Sequence, residues 1–229
     1  MGVHVIEERP YEVLPTHGEP AWIHDFGLSL EGVSSIPLEE LREAFQEAFR
    51  RVWCGQAEND DFNRLVTGAL LGWREVALLR AYARYMKQAG STFSQTYLQQ
   101  TLSAYPELAR QLVELFRLRF DPDAGAHAPA HADALVERIE ASLDEVANLD
   151  EDRILRQFLA LIEATLRTNY FQVDEAGRAK SWISFKLDPT RVPGLPEPHP
   201  AYEIFVYSPR MEGVHLRGGS VARGGLRWS

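Results

Sequence analysis

One change of apolar period, near Ser34, sets the order of structure along this chain. Between Trp22 and Leu30 aromatic and aliphatic residues alternate with polar ones, the period of a half-buried strand. A shorter β-branched run starts at Val3 and then meets Pro10. These read as two strands of a small sheet. Two strands alone are marginally stable in water, so further strands from before Met1 are expected. Beyond Ser34 the spacing is helical, with Leu38, Leu41, Phe45, Phe49 and Val52 on one face, Ser34 or Ser35 as cap and Pro37 in the first turn.

The same period continues through Asp60 to Thr67, Trp73 to Gln88 and Pro106 to Phe120, with Gly55, Gly72 and Gly90 at plausible ends. This predicts a helical subdomain over 33–120, after a two-strand module over 1–32. Residues 121–132, rich in Ala, Pro and Gly, read as a linker. His127 and His131 have the spacing of metal ligands on a helix, but Pro129 between them argues against a helix and no acidic or thiol ligand is near, so no metal site is assigned.

A final unit over 133–229 opens with a helix marked by Leu135, Ile139, Leu143 and Val146. Its acids Glu137, Glu140, Asp144 and Glu145 read as a solvated face. Asp150, Glu151 and Asp152 suit the start of the next helix, whose body from Ile154 to Ile162 is apolar on more than one face and should lie between layers. Strands are predicted at Thr168 to Val173, Trp182 to Leu187, Tyr202 to Tyr207 and Gly213 to Arg217, with the proline-rich stretch from Pro193 to Pro200 irregular. The class is α+β.

Composition narrows the functions. The 229 residues carry a formal net charge of -9, which disfavours the broad basic face that nucleic acid needs. There is no long apolar run for a membrane span and no signal-peptide pattern, so a cytoplasmic protein without membrane partners is expected. The single cysteine, Cys54, excludes an internal disulfide and reads as a small buried residue in a helix. No G-x-G-x-x-G, Walker-type, H-E-x-x-H or G-x-S-x-G motif occurs. His24, Asp25 and His215 lie in strand-like runs and read as structural, and Lys180 and Lys186 fall in no motif.

The local charge reverses near the C-terminus. Between Pro209 and Ser229, Arg210, Arg217, Arg223 and Arg227 stand against one acid, Glu212, and two glycine pairs, Gly218-Gly219 and Gly224-Gly225, interrupt the stretch. Glycine pairs let backbone N–H groups approach a ligand, and guanidinium groups hold carboxylate or phosphate through paired hydrogen bonds. Two readings stand: an anion-holding loop, or a glycine-rich hairpin whose arginines pair with the acidic helices.

Four long blocks resemble the large bacterial NAD-specific glutamate dehydrogenases: Arg153-Ile-Leu-Arg-Gln-Phe-Leu-Ala-Leu-Ile-Glu-Ala-Thr-Leu-Arg-Thr-Asn-Tyr-Phe-Gln172, Val192-Pro-Gly-Leu-Pro-Glu-Pro198, Glu203-Ile-Phe-Val-Tyr-Ser-Pro-Arg-Met-Glu-Gly-Val-His-Leu-Arg-Gly-Gly219 and Val221-Ala-Arg-Gly-Gly-Leu-Arg-Trp-Ser229. Shorter runs at Glu8 to Val13, Trp22 to Leu28, Phe62 to Leu65 and Trp73 to Val76 are similar to the same family. The resemblance implies two strands of an ACT-like module, a helical region and the truncated start of an α/β substrate-binding domain, within a chain several times longer. It also implies NAD as cofactor, L-glutamate and 2-oxoglutarate as substrates, and a homo-oligomer. By the same resemblance, Arg223-Gly224-Gly225-Leu226-Arg227 matches a Lys-Gly-Gly-Leu/Ile-Arg segment that lines the substrate site. Arg223 stands where smaller enzymes have the lysine that binds the distal carboxylate, and a guanidinium fork holds a carboxylate differently from an ammonium. Arg227 is either a second substrate contact or a structural partner. The catalytic lysines, the aspartate general acid/base and the nicotinamide-binding domain lie beyond Ser229 in such enzymes, so the chain by itself is expected to have no catalytic residue and no dehydrogenase activity. A regulatory or assembly module is the competing reading.

Overall fold

The structure is a computed structural model that describes residues 1–30, 38–218 and 224–227, with backbone alone at Leu38 and at 224–227. The cap at Ser34 or Ser35 and the helical position of Pro37 lie outside the described residues. Strands β1 (Val3–Val13) and β2 (Ala21–Leu30) pair antiparallel, with a bulge between Val5 and Glu7 and Pro10 opposite His24. A two-stranded ribbon has only edge strands, where proline is tolerated. The alternation predicts a half-buried strand, yet Trp22, Ile23, Phe26 and Leu28 are exposed, because no layer of the described residues covers either face of the ribbon.

Helices α1 (Leu38–Trp53), α2 (Arg64–Gly68), α3 (Trp73–Gln88), α4 (Gln95–Ala104) and α5 (Pro106–Phe120) form the predicted helical unit. The ends of α3 and α5 fall where the apolar period puts them. Gly55 and Gly90, at φ 67° and 95°, supply the left-handed residues that follow α1 and α3. Helix α4 has little apolar signal beyond Leu98 and Leu102; its start is set by Ser94, whose side chain accepts a hydrogen bond from the Tyr97 N–H at 3.1 Å. Cys54 lies just past α1 and is exposed, so the expected burial does not hold.

The expected linker is shorter than its composition implies, because helix α6 (Ala128–Leu143) begins inside it. Pro129 sits in the first turn, where its missing N–H would have had no helical partner, and Ala128 and Ala132 are buried. Helix α7 (Leu149–Ala164) is capped by Asn148, whose side-chain oxygen accepts from Asp150 and Glu151 N–H at 3.0 and 3.3 Å, and it buries two faces as expected.

Five antiparallel strands follow in sequential order: β3 (Thr165–Thr168), β4 (Ile183–Leu187), β5 (Tyr202–Ser208), β6 (Met211–Arg217) and β7 (Gly224–Arg227). The strand expected at Thr168 to Val173 is displaced, since β3 continues directly from α7 and ends at Thr168. Asn169 turns the chain out of the sheet; its Oδ1 accepts from the Ser184 N–H at 2.7 Å and its Nδ2 donates to the Trp182 carbonyl at 3.2 Å. Tyr170 and Phe171 then pack onto Phe116 and do not extend the strand.

Helix α3 joins the two halves. Its residues from Val76 to Met86 are buried on nearly every face, as suits a helix enclosed on all sides. Tyr82 lies flat on Phe185 of β4, with ring centroids 4.2 Å apart, and meets Phe116 of α5 edge-on at 6.3 Å. Thr165 Oγ1 donates to the Leu161 carbonyl at 2.8 Å, so at the 2.9 Å Tyr82–Thr165 contact the tyrosine is the donor. Phe116 touches the rings of Tyr82, Phe120, Tyr170, Phe171 and Phe185 and is fully buried. Phe116→Ala is therefore expected to lower stability by about 3–5 kcal/mol. Phe49→Ala, on the exposed side of α1, should cost under about 1 kcal/mol; urea unfolding of both variants checks the contrast.

Candidate functional site

Strand β7 carries most of the segment singled out from the sequence. Gly224 pairs with Arg217 of β6, Gly225 with Leu216, Leu226 with His215 and Arg227 with Val214. The glycine pair thus opens the last strand of the sheet, where the backbone has no Cβ to keep a ligand away. The pairing of β7 with β6 is compatible with both readings of this segment. Arg223 lies outside the described residues, as do its neighbours from Gly219 to Ala222 and Trp228 and Ser229.

Arg210 and Arg217, the two arginines of this stretch whose side chains are described, lie at opposite ends of β6. Arg210 is in the turn before β6, where Ser208 Oγ accepts from the backbone N–H of Arg210 and of Met211 at 3.3 and 3.2 Å. Arg217 closes the same strand, about 20 Å away at the usual rise per residue. Among the described side chains, the positive charge of this stretch is thus divided between the two ends of β6.

What positions β6 and β7 is a polar seam along α3. Arg80, Arg84 and Gln88 recur at four-residue spacing and so share one face of the helix. Arg80 is wholly buried and holds Asp60 through two hydrogen bonds of 2.7 Å, Nε to Oδ2 and Nη2 to Oδ1, with Asn63 Oδ1 accepting a third at 3.0 Å. Burial by itself would lower the Arg80 pKa, but the Asp60 carboxylate reverses this and the net direction is upward. Arg84 pairs with Glu58 and approaches Glu212 of β6 at 3.7 Å, while Gln88 Nε2 donates to Glu212 Oε1 at 3.2 Å. From β5, the Tyr207 hydroxyl donates to Glu58 Oε1 at 2.8 Å, and the buried Glu203 accepts from the Tyr85 hydroxyl at 2.7 Å. Burial pushes the Tyr207 hydroxyl pKa upward, so it stays a donor.

This seam clamps β5 and β6 onto the helical unit and so places the β6–β7 hairpin. Little of it is visible in the sequence, because its partners lie 17 to 149 residues apart. The one local sign is the polar set at positions 80, 84 and 88, which falls on one face of a helix whose middle is mostly apolar. Among the described residues no group of three or more His, Cys, Asp or Glu could hold a metal, and no helix is long and apolar enough to cross a membrane.

A helical unit locked to an antiparallel sheet, with a Gly-Gly strand last in the described strand order, defines a mixed α+β architecture. Three family profiles match in order: the ACT3 domain of glutamate dehydrogenase over residues 1–41, its helical motif 3 over 57–122, and the catalytic domain of bacterial NAD-glutamate dehydrogenase over 138–229. The chain belongs to the bacterial NAD-specific glutamate dehydrogenase family. It is 56% identical to the NAD-specific glutamate dehydrogenase of Halomonas elongata, 51% to that of Pseudomonas aeruginosa and 47% to that of Mycobacterium tuberculosis. Each match takes in all of this chain and 14% of the relative's length.

Asp60→Ala would leave the buried Arg80 guanidinium without its counter-charge, and a loss of about 3–5 kcal/mol is expected. Removing the exposed Asp150 from its pair with Arg153 should cost less than about 1 kcal/mol. Denaturant midpoints for the two alanine variants check the difference.

Proposed function

We propose that this chain is part of an NAD-dependent glutamate dehydrogenase, which converts L-glutamate, NAD and water to 2-oxoglutarate, ammonia and NADH, and that the β6–β7 hairpin contributes to its substrate site. The observation that carries this reading is the Gly224-Gly225 pair at the entry to β7, directly after Arg223 and inside the matched catalytic region. Arg223 holds the distal carboxylate of glutamate through its guanidinium. The two glycines let the backbone come close to it. Arg227, three residues along the strand, serves the substrate or the sheet.

The described residues form no Rossmann-type dinucleotide site. The described sheet is antiparallel throughout, so it has no crevice between diverging parallel strands, and the sequence has no glycine-rich fingerprint. NAD binding and the proton-transfer groups are therefore assigned to other parts of the enzyme, and the chain alone is inactive. Residues 1–32 belong to an ACT-like β module, 33–120 to the helical region and 133–229 to the substrate-binding domain, joined over 121–132. The enzyme is a cytoplasmic homo-oligomer.

A second role is favoured by the ribbon of β1 and β2. Its exposed Val5, Ile6, Tyr11, Trp22, Ile23 and Phe26 fit an assembly or regulatory module better than a free surface.

In the full-length enzyme, Arg223→Ala should raise KM for glutamate about 10- to 100-fold, the worth of a charge-assisted hydrogen bond, and Arg223→Lys should restore part of it. Steady-state kinetics with glutamate as the varied substrate checks this. Unchanged kinetics with altered assembly would favour the second role, and glutamate oxidation by the 229-residue chain alone would refute the division of labour.

A further inference from the structure

At the end of the sheet away from Gly224, the helical unit and the sheet leave a cleft of about 830 Å³. It lies between the first half of α3, the loop after α1, the segment 174–182 and the turn before β6. Its volume is within the usual range for small-molecule sites. Six cationic side chains line it, Arg51, Arg74, Arg80, Arg178, Lys180 and Arg210, against one acid, Asp174. In a chain of net charge -9 this is a strong local reversal.

Half of these charges are answered within the chain. Arg51 pairs with Glu47, Arg80 with Asp60 and Arg178 with Asp174, each at 2.7–3.0 Å. Asp174 is further occupied by the backbone N–H groups of Ala176 and Arg178, both at 2.9 Å, so it offers little repulsion to an anion. The other half have no carboxylate partner among the described residues. Arg74 donates from Nη1 and Nη2 to the carbonyls of Lys180 and Tyr170, at 2.7 and 2.9 Å, which uses two of its five N–H donors and leaves its charge uncancelled. Burial lowers its pKa, the mark of a cation in want of a counter-charge. Lys180 and Arg210 enter no ion pair among the described residues. The cleft also holds two indoles. Trp73 lies under the Arg51 guanidinium at 4.8 Å, and Trp182 keeps 44% of its surface exposed beside the Lys180 ammonium, 5.7 Å from the ring.

Unanswered cations next to an exposed flat ring match a ligand that is anionic at one end and aromatic at the other. We propose that this cleft binds a nucleoside polyphosphate, its phosphates held by Lys180, Arg210 and Arg74 and its base stacked on Trp182. The site is separate from the Gly224-Gly225 strand and does not depend on the substrate assignment.

The test is calorimetric titration of the 229-residue chain and of the full-length enzyme with ATP, tripolyphosphate and adenosine. ATP should bind both proteins, and Lys180→Ala and Arg210→Ala should each weaken it about tenfold. Trp182→Ala should weaken ATP about tenfold and leave tripolyphosphate unchanged. All three positions are at the surface, so circular dichroism should show the variants folded. The proposal is overturned if ATP fails to bind either protein, if the two cation variants bind it as well as the parent, or if tripolyphosphate binds as tightly as ATP and Trp182→Ala has no effect.

Discussion

A guanidinium buried as completely as that of Arg80 must be met by a carboxylate, and the architecture follows from how it is met. Asp60 and Asn63 come from the turn ahead of α2, so the pair ties that turn to α3. Four residues on, Arg84 uses the same helical face to reach Glu58 and the sheet residue Glu212. The opposing aromatic contacts, Tyr82 on Phe185 and Tyr85 on Phe205, give α3 an apolar hold on the same strands. Polar and apolar contacts are interleaved, so sliding α3 by one turn would break both. That requirement gives β5 and β6, and the hairpin they support, a single position.

The legibility of this fold tracks how local its causes are. Helices α3 and α5 were readable end to end because their apolar period, Pro106 and Gly90 all act within a few residues. Helix α4 was not, since Leu98 and Leu102 stand almost alone among glutamine and threonine and only the Ser94 cap marks its start. Pro129 misled as a helix breaker because its effect depends on position, and the first turn tolerates it. The aromatic pair Tyr170-Phe171 looked like strand and serves instead to fill the space around Phe116, a contact made 55 residues away. The α+β class was visible from the order of the periods, and the family from long blocks of matching residues. The seam at Arg80, Arg84 and Glu212 was hidden because the four-residue spacing on α3 marks one side of it only, and nothing local names the partners Asp60, Glu58 and Glu212.

The candidate site divides in the same way. The Gly224-Gly225 pair was legible because glycine chemistry is local, and it falls where a sheet edge can present it. The basic cleft was not, as Arg51, Arg74, Lys180 and Arg210 are brought together only when the helical unit closes on the sheet. Its floor includes Arg80 and Tyr207, members of the seam, so the two ends of the sheet share one support.

The proposed substrate role rests on the β6–β7 hairpin presenting Arg223 and its glycines to a carboxylate. A structure of the full-length enzyme with 2-oxoglutarate bound tests it most directly. The ligand's distal carboxylate is expected about 3 Å from the Arg223 guanidinium, beside the backbone of Gly224 and Gly225. A ligand seated elsewhere, with Arg223 paired to an acidic side chain of the enzyme, would contradict it.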